Sequence, residues 1–100
     1  MSLVLKVHKS DDGRYFIAII DKELLGKKFE EGELQLDLTS PYYAGEEADK
    51  EYVLKALSKA YSASFIGKES IELGISNGLI EQVMVIYIQG IPSTQTLAFG

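Results

Sequence analysis

Gly67-Lys68-Glu69-Ser70 is the stretch whose residue types come nearest to a recognisable chemistry. A glycine that opens a helix leaves free N–H groups at its N-terminus, and Lys68 adds a cation, which together are the ingredients of a phosphate cradle. The spacing is wrong for one. A phosphate-binding loop needs glycine where Ser62 stands and Ser or Thr where Glu69 stands, and Glu69 and Glu72 would repel an anion from the first turn. The stretch reads better as a plain glycine-started helix. Ser62, Ser64 and Ser70 are nucleophiles by type, but there is no G-x-S-x-G elbow, no cysteine, and only one histidine, His8, distant in sequence. His8 falls on an outer strand position beside Lys9, and no metal-ligand or proton-transfer pattern surrounds it in the sequence. The paired acids Glu30-Glu31 and Glu46-Glu47 belong to a turn and a helix start, where carboxylates are ordinarily solvated. No catalytic residue, no metal ligand and no cofactor is assigned.

Recognition chemistry is better represented. In Thr39-Ser40-Pro41-Tyr42-Tyr43-Ala44-Gly45, two adjacent tyrosines behind a proline do not both turn into one core. One of them is expected to be exposed as a contact residue; the competing reading folds them back as a lid over the next helix. The net charge of −5, the pI of 4.8 and the single arginine, Arg14, weigh against nucleic acid as a direct ligand, because phosphate contacts draw on Lys and Arg. The ten basic residues are scattered except for Lys27-Lys28. The absence of cysteine suits a cytoplasmic protein, and no apolar run approaches the ~18 residues of a membrane span. One hundred residues suffice for a single globular domain, 1–100.

The elements that must position these residues are organised around one amphipathic helix, Asp49 to Ala60, with Val53, Ala56, Leu57 and Ala60 along its inner side and Asp49 as its cap. Leu3–His8 and Tyr15–Ile20 read as a hairpin turned at Ser10–Gly13. Asp21–Gly26 reads as a single helical turn capped by Asp21, and Leu34, Leu36 and Leu38 alternate with polar residues as a half-buried strand. Ala63–Ile66 is a strand, and Lys68–Asn77 a second helix with Ile71, Gly74, Ile75 and Gly78 inward and an Asn77-Gly78 stop backed by Leu79. Val83–Ile88 is a strand, Gln89–Thr94 a turn, and Thr96–Phe99 a last short strand. Val53, Leu57 and Ile75 are the expected core. The fold class is therefore α+β: a mixed sheet of about five to six strands, comprising the N-terminal hairpin, a βαβαβ run and a short C-terminal strand, with two helices packed on it. If the strands of that run share one sheet, the loops Pro41–Gly45, Gly67–Ser70 and Gln89–Pro92 converge at its carboxyl edge.

With these landmarks in place the chain resembles a family of short archaeal proteins known as domain of unknown function 424. The resemblance is carried by Asp21-Lys22-Glu23-Leu24-Leu25-Gly26-Lys27 with Phe29, Glu31 and Gly32; by Tyr43-Ala44-Gly45; by Phe65-Ile66-Gly67 with Ser70-Ile71; by Gly78-Leu79-Ile80; and by Gly90-Ile91-Pro92 with Gln95. Ala44 departs from a usual second glycine and Ser93 from a frequent histidine. The resemblance implies a cytoplasmic, compact α+β protein and no catalysis. The reading that follows is a small non-enzymatic interaction module for a protein or ribonucleoprotein partner, with information processing as the expected setting. Its binding residues would be Tyr42, Tyr43, Gly45, Gly67, Lys68, Gly90, Ile91, Pro92 and Gln95. The alternative is a small-ligand site or enzyme in the same edge, using Lys27, Lys68, Glu69 and Gln95. A deep pocket with convergent polar groups would favour the alternative, and exposed aromatics the module. No direct nucleic-acid binding and no membrane is expected, and a homo-oligomer is left open. Anisotropy titrations at ~150 mM salt should accordingly show no sub-micromolar binding to RNA or duplex DNA, and binding at that level would overturn the charge argument.

Overall fold

A hairpin at the start of the chain supplies the middle of the sheet. In the computed structural model, which describes residues 3–39 and 45–97, β1 (Leu3–Lys9) and β2 (Tyr15–Asp21) pair antiparallel from Leu3↔Asp21 to Lys9↔Tyr15. The turn closes by Gly13 N–H donating to the Ser10 carbonyl at 2.9 Å and Ser10 N–H to the Arg14 carbonyl at 2.8 Å. A 3₁₀ turn, Lys22–Leu24, leads to β3 (Lys28–Glu31) and β4 (Leu34–Asp37), which form a separate two-stranded hairpin about Gly32-Glu33. Then follow β5 (Glu46–Ala48), α1 (Lys50–Leu57), β6 (Ser62–Ile66), α2 (Lys68–Ser76), a 3₁₀ turn at Gln82–Met84, β7 (Ile86–Ile88) and β8 (Ile91–Leu97). The large sheet has the order β5-β1-β2-β6-β8-β7; its β2–β6 pair is parallel and its other pairs are antiparallel.

Strand alternation sends Leu3, Leu5, Ile17, Ile19, Ala63 and Phe65 to one face, where they bury against Val53 and Leu57 of α1 and Ile71 and Leu73 of α2. Ala18, Ile20, Ile66 and Ile88 point the other way and are covered by Leu24, Leu36 and Leu38. The sheet is therefore sandwiched between the helices and the small hairpin. That double cover is why Ile17 to Ile20 is an unbroken apolar run, each residue buried.

The expected class, α+β with a mixed sheet and two helices, is the one observed, but several local expectations change. The strand–helix–strand–helix–strand order exists along the chain, yet Leu34–Asp37 pairs only with β3 and Ile86–Ile88 lies antiparallel to β8, so no βαβαβ sheet forms. Ile91–Thr94, expected as a turn, is strand; the turn is the two residues Gln89-Gly90, whose φ of 51° and 78° are the left-handed pair a tight hairpin uses. Glu46 and Glu47, expected at the start of the main helix, instead form an edge strand beside Leu5 and Val4. The main helix itself begins where expected, with the Asp49 carboxylate accepting from Tyr52 N–H at 2.8 Å.

α2 is rotated relative to its expected setting. Ser70, Ile71, Leu73 and Gly74 are buried and Ile75 is 36% exposed. The inward arc is turned by roughly 70° at 100° per residue. Its C-terminus ends as expected: Leu79 N–H donates to Gly74 C=O at 2.8 Å and Gly78 N–H to Ile75 C=O at 3.1 Å. Leu57→Ala should cost about 2–5 kcal/mol in urea melts, whereas Ile75→Ala should cost under about 1 kcal/mol, since only the first empties a closed site. Equal losses would contradict this packing.

Candidate functional site

Because β2 and β6 run parallel, they leave the sheet side by side, and β8 enters antiparallel at the same edge. The Asp21–Lys27 turn, the start of α2 and the first residues of β8 therefore meet, and Gly67 N–H donates to the Pro92 carbonyl at 2.9 Å. Between them lies an open pocket of about 310 Å³ with Leu24, Phe29, Ile91 and Pro92 as its apolar floor and Lys27 and Lys68 on its walls. Neither lysine has an ion-pair partner among the described residues.

The polar hub of this edge is Asp21, 2% exposed. Its Oδ1 accepts from Ser70 N–H and from the Ser70 hydroxyl, both at 2.9 Å, and its Oδ2 accepts from Glu69 N–H at 3.0 Å. The expectation that Asp21 caps the turn following it is thus corrected: that turn has no side-chain cap, and the carboxylate instead caps α2, nearly fifty residues away. Gly67 makes this geometry accessible. Its φ of 106° lies in the region that side chains disfavour, and a Cβ there would overlap the Asp21 carboxyl group. The helix N-terminus that resembled a phosphate cradle in sequence is filled by the chain's own carboxylate. Ser70, fully buried and donating to Asp21, is likewise committed to structure.

Of the residues expected to bind, Gly67, Lys68, Ile91 and Pro92 are brought together with Lys27, and Gly90 stands next to them in the β7–β8 turn. Pro92 is buried and Ile91 half-buried, so they line a floor and do not project as contact residues. Gly45 lies elsewhere, packed against the Leu5 backbone at the far edge of the sheet, because β5 joins β1 and not the parallel pair. Gln95 sits opposite Ser64, with its Nε2 3.5 Å from Ser62 Oγ, displaced along β8 from the pocket. The Glu69 side chain faces a separate depression with Glu72 and Asp49. Tyr42 and Tyr43 lie outside the described residues. No group of three potential metal ligands stands together among the described residues, and no helix there is long and apolar enough to cross a membrane.

Sequence reasoning missed a second surface. Val83 is 85% exposed, Ile86 50%, Tyr87 49% and Met84 38%, and Leu34 of the neighbouring hairpin is 46% exposed. Val83–Ile88 is expected as one strand; only Ile86–Ile88 is strand, and it is the outermost of its sheet. No local signal marks this surface, since alternation and composition specify a strand without naming what covers it.

Fold and site together define a small α+β protein in which Asp21 of β2 caps α2 and the outermost strand, β7, leaves Ile86 and Tyr87 exposed. The chain matches, over residues 8–99, the family described as protein of unknown function (DUF424), and it belongs to that family. It is similar in fold to the crystal structure of an uncharacterized conserved protein from Methanopyrus kandleri, with a TM-score of 0.77 and 18% identity over 99% of this chain and 93% of that one. No curated protein matches it.

Removing the remote cap should be felt as stability. Asp21→Ala should lose about 2–3 kcal/mol in urea melts, since it deletes a cap and leaves buried N–H groups unsatisfied. Asp21→Asn, which keeps one acceptor oxygen, should lose less, and Gly67→Ala at least as much as the alanine variant. A loss below about 0.5 kcal/mol for Asp21→Ala would show that the cap is dispensable.

Proposed function

We propose that this protein is a small non-enzymatic interaction module that docks a macromolecular partner through the surface formed by Val83, Met84, Ile86, Tyr87 and Leu34. The carrying observation is the exposure of four large apolar side chains within five residues of chain, beside a fifth from the adjoining hairpin. Isolated exposed apolar residues are ordinary, but several along one short segment of a small protein are the usual mark of a contact site. The patch has a defined scaffold. Thr94 Oγ1 donates to the Met84 carbonyl at 2.9 Å and Gln82 Nε2 to Tyr87 Oη at 2.9 Å, which hold the segment in one shape and reduce the entropy lost on binding. The contact residues differ from those suggested by sequence, while the class of function is the same.

A second reading draws on the 310 Å³ pocket, where two lysines without an ion-pair partner among the described residues line an apolar floor and suit a small anionic ligand. It is the weaker one, because the carboxylate of Asp21 occupies the helix start beneath it and Glu23 lies on the same wall.

A photo-crosslinking amino acid placed at Val83, and separately at the exposed Glu72 on α2, tests the first reading in native lysate. The Val83 probe should yield discrete crosslinked species that the Glu72 probe does not, and Ile86→Asp should remove them with the far-UV spectrum unchanged. Identical patterns from both probes would overturn the assignment.

A further inference from the structure

We infer that the outer edge of β7 receives an extended, basic segment of a partner protein, added to the sheet as a further strand. This inference rests on the interaction reading above and specifies the chemistry of the partner.

The backbone is the first argument. Ile88↔Ile91 closes the two-residue turn, so it is the hydrogen-bonded pair, and the next pair, Tyr87↔Pro92, is the non-bonded kind. Pro92, with no N–H, fits only that position. It follows that the N–H and C=O of Tyr87 point away from β8, toward the open side of the sheet. β7 is the last strand on that side, so this donor and acceptor face outward beside the exposed side chains of Ile86 and Tyr87. An incoming strand would find both main-chain bonds and apolar contact there.

Charge chooses the occupant. Glu31 lies at the β7–β8 turn, its Oε1 accepting Gln89 N–H at 2.9 Å; Glu33 precedes Leu34; and Glu81 precedes the exposed Val83–Tyr87 segment. None of the three has an ion-pair partner among the described residues. Lys28, the cation of the adjoining strand, is held 3.1 Å from Glu30, whose hydrogen bond and charge raise its pKa, so it does not neutralise the rim. An apolar strip bordered by carboxylates that no cation neutralises among the described residues fits a segment in which apolar residues alternate with Lys or Arg. A second copy of this chain fits badly. Antiparallel pairing of β7 with itself would set the Glu81 end of each strand against the Glu31 end of the other, like charge on like charge.

Fluorescent peptides of alternating valine and lysine, valine and serine, and valine and glutamate, titrated against the full chain by anisotropy, test this. The lysine peptide should bind roughly tenfold tighter than the serine peptide, with the glutamate peptide weakest. Its advantage should shrink between ~50 and ~500 mM salt, as an exposed charge effect must. The triple variant Glu31→Gln, Glu33→Gln, Glu81→Gln should bring the lysine peptide to the level of the serine peptide. A lysine peptide N-methylated at every residue, which has no backbone donor on either edge to pair as a strand, should lose binding to the wild type. Equal binding of the three peptides, unchanged binding by the triple variant, or no binding at all would overturn the inference. So would a wild-type dimer in sedimentation that Ile86→Asp dissolves, which would name a second copy as the occupant. If the Val83 probe captures a partner while the lysine peptide shows no preference, the interaction reading stands and this inference alone fails.

Discussion

One carboxylate couples the two halves of this molecule. Asp21 is the last residue of β2, in the N-terminal hairpin, and its oxygens cap a helix that begins only after β6. The first N–H groups of a helix have no partner within it, and here one of them lies buried beneath the sheet edge, so an acceptor has to be brought from elsewhere in the chain. The parallel pairing of β2 with β6 carries Asp21 to that place, and the missing side chain at Gly67 lets it come close enough. The same bonds decide how α2 sits. Drawing Ser70 inward rolls the helix so that Leu73 enters the core and Ile75 does not. They also decide what the site is for, since a helix start already holding an internal anion has little left for a phosphate.

The sheet treats its two edges differently. On one side, β5 ends the sheet with exposed Glu46 and Glu47, charges of the kind that discourage another chain from pairing there. On the other, β7 is short, presents Ile86 and Tyr87, and has its acids at the margins instead of on the strand. Gln89 braces that edge. Its left-handed backbone is a cost for a residue with a Cβ, and it is offset by two bonds to the small hairpin: its N–H to Glu31 Oε1 at 2.9 Å, and its Nε2 to the Glu30 carbonyl at 2.7 Å. The β3–β4 hairpin thus does two things, covering the second face of the sheet through Leu36 and steadying the turn next to the exposed patch.

What the sequence determined by itself were the features written into neighbouring residues. The spacing of Val53, Ala56 and Leu57, with Asp49 ahead of them, specifies α1, although the helix stops at Leu57 and not at the expected Ala60; alternation on either side of Ser10–Gly13 specifies the first hairpin; Asn77-Gly78 with Leu79 specifies the end of α2. Those signals are local because a helix face, a tight turn and a helix cap each involve residues only a few positions apart. The family was legible too, from motifs spread along the chain, and so was the meeting of Gly67, Lys68, Ile91 and Pro92 with Lys27, although it arises from the β2–β6 pair and not from the expected crossover strands. Tertiary structure alone decided the rest. Asp21 looks the same in sequence whether it caps the next turn or a helix almost fifty residues on; Leu34–Leu38 alternates identically in a large sheet or a small hairpin; Val83–Ile88 has the composition of a buried strand whether or not anything covers it. Each depends on which strands become neighbours, and period-2 alternation specifies a strand's faces without naming its partner.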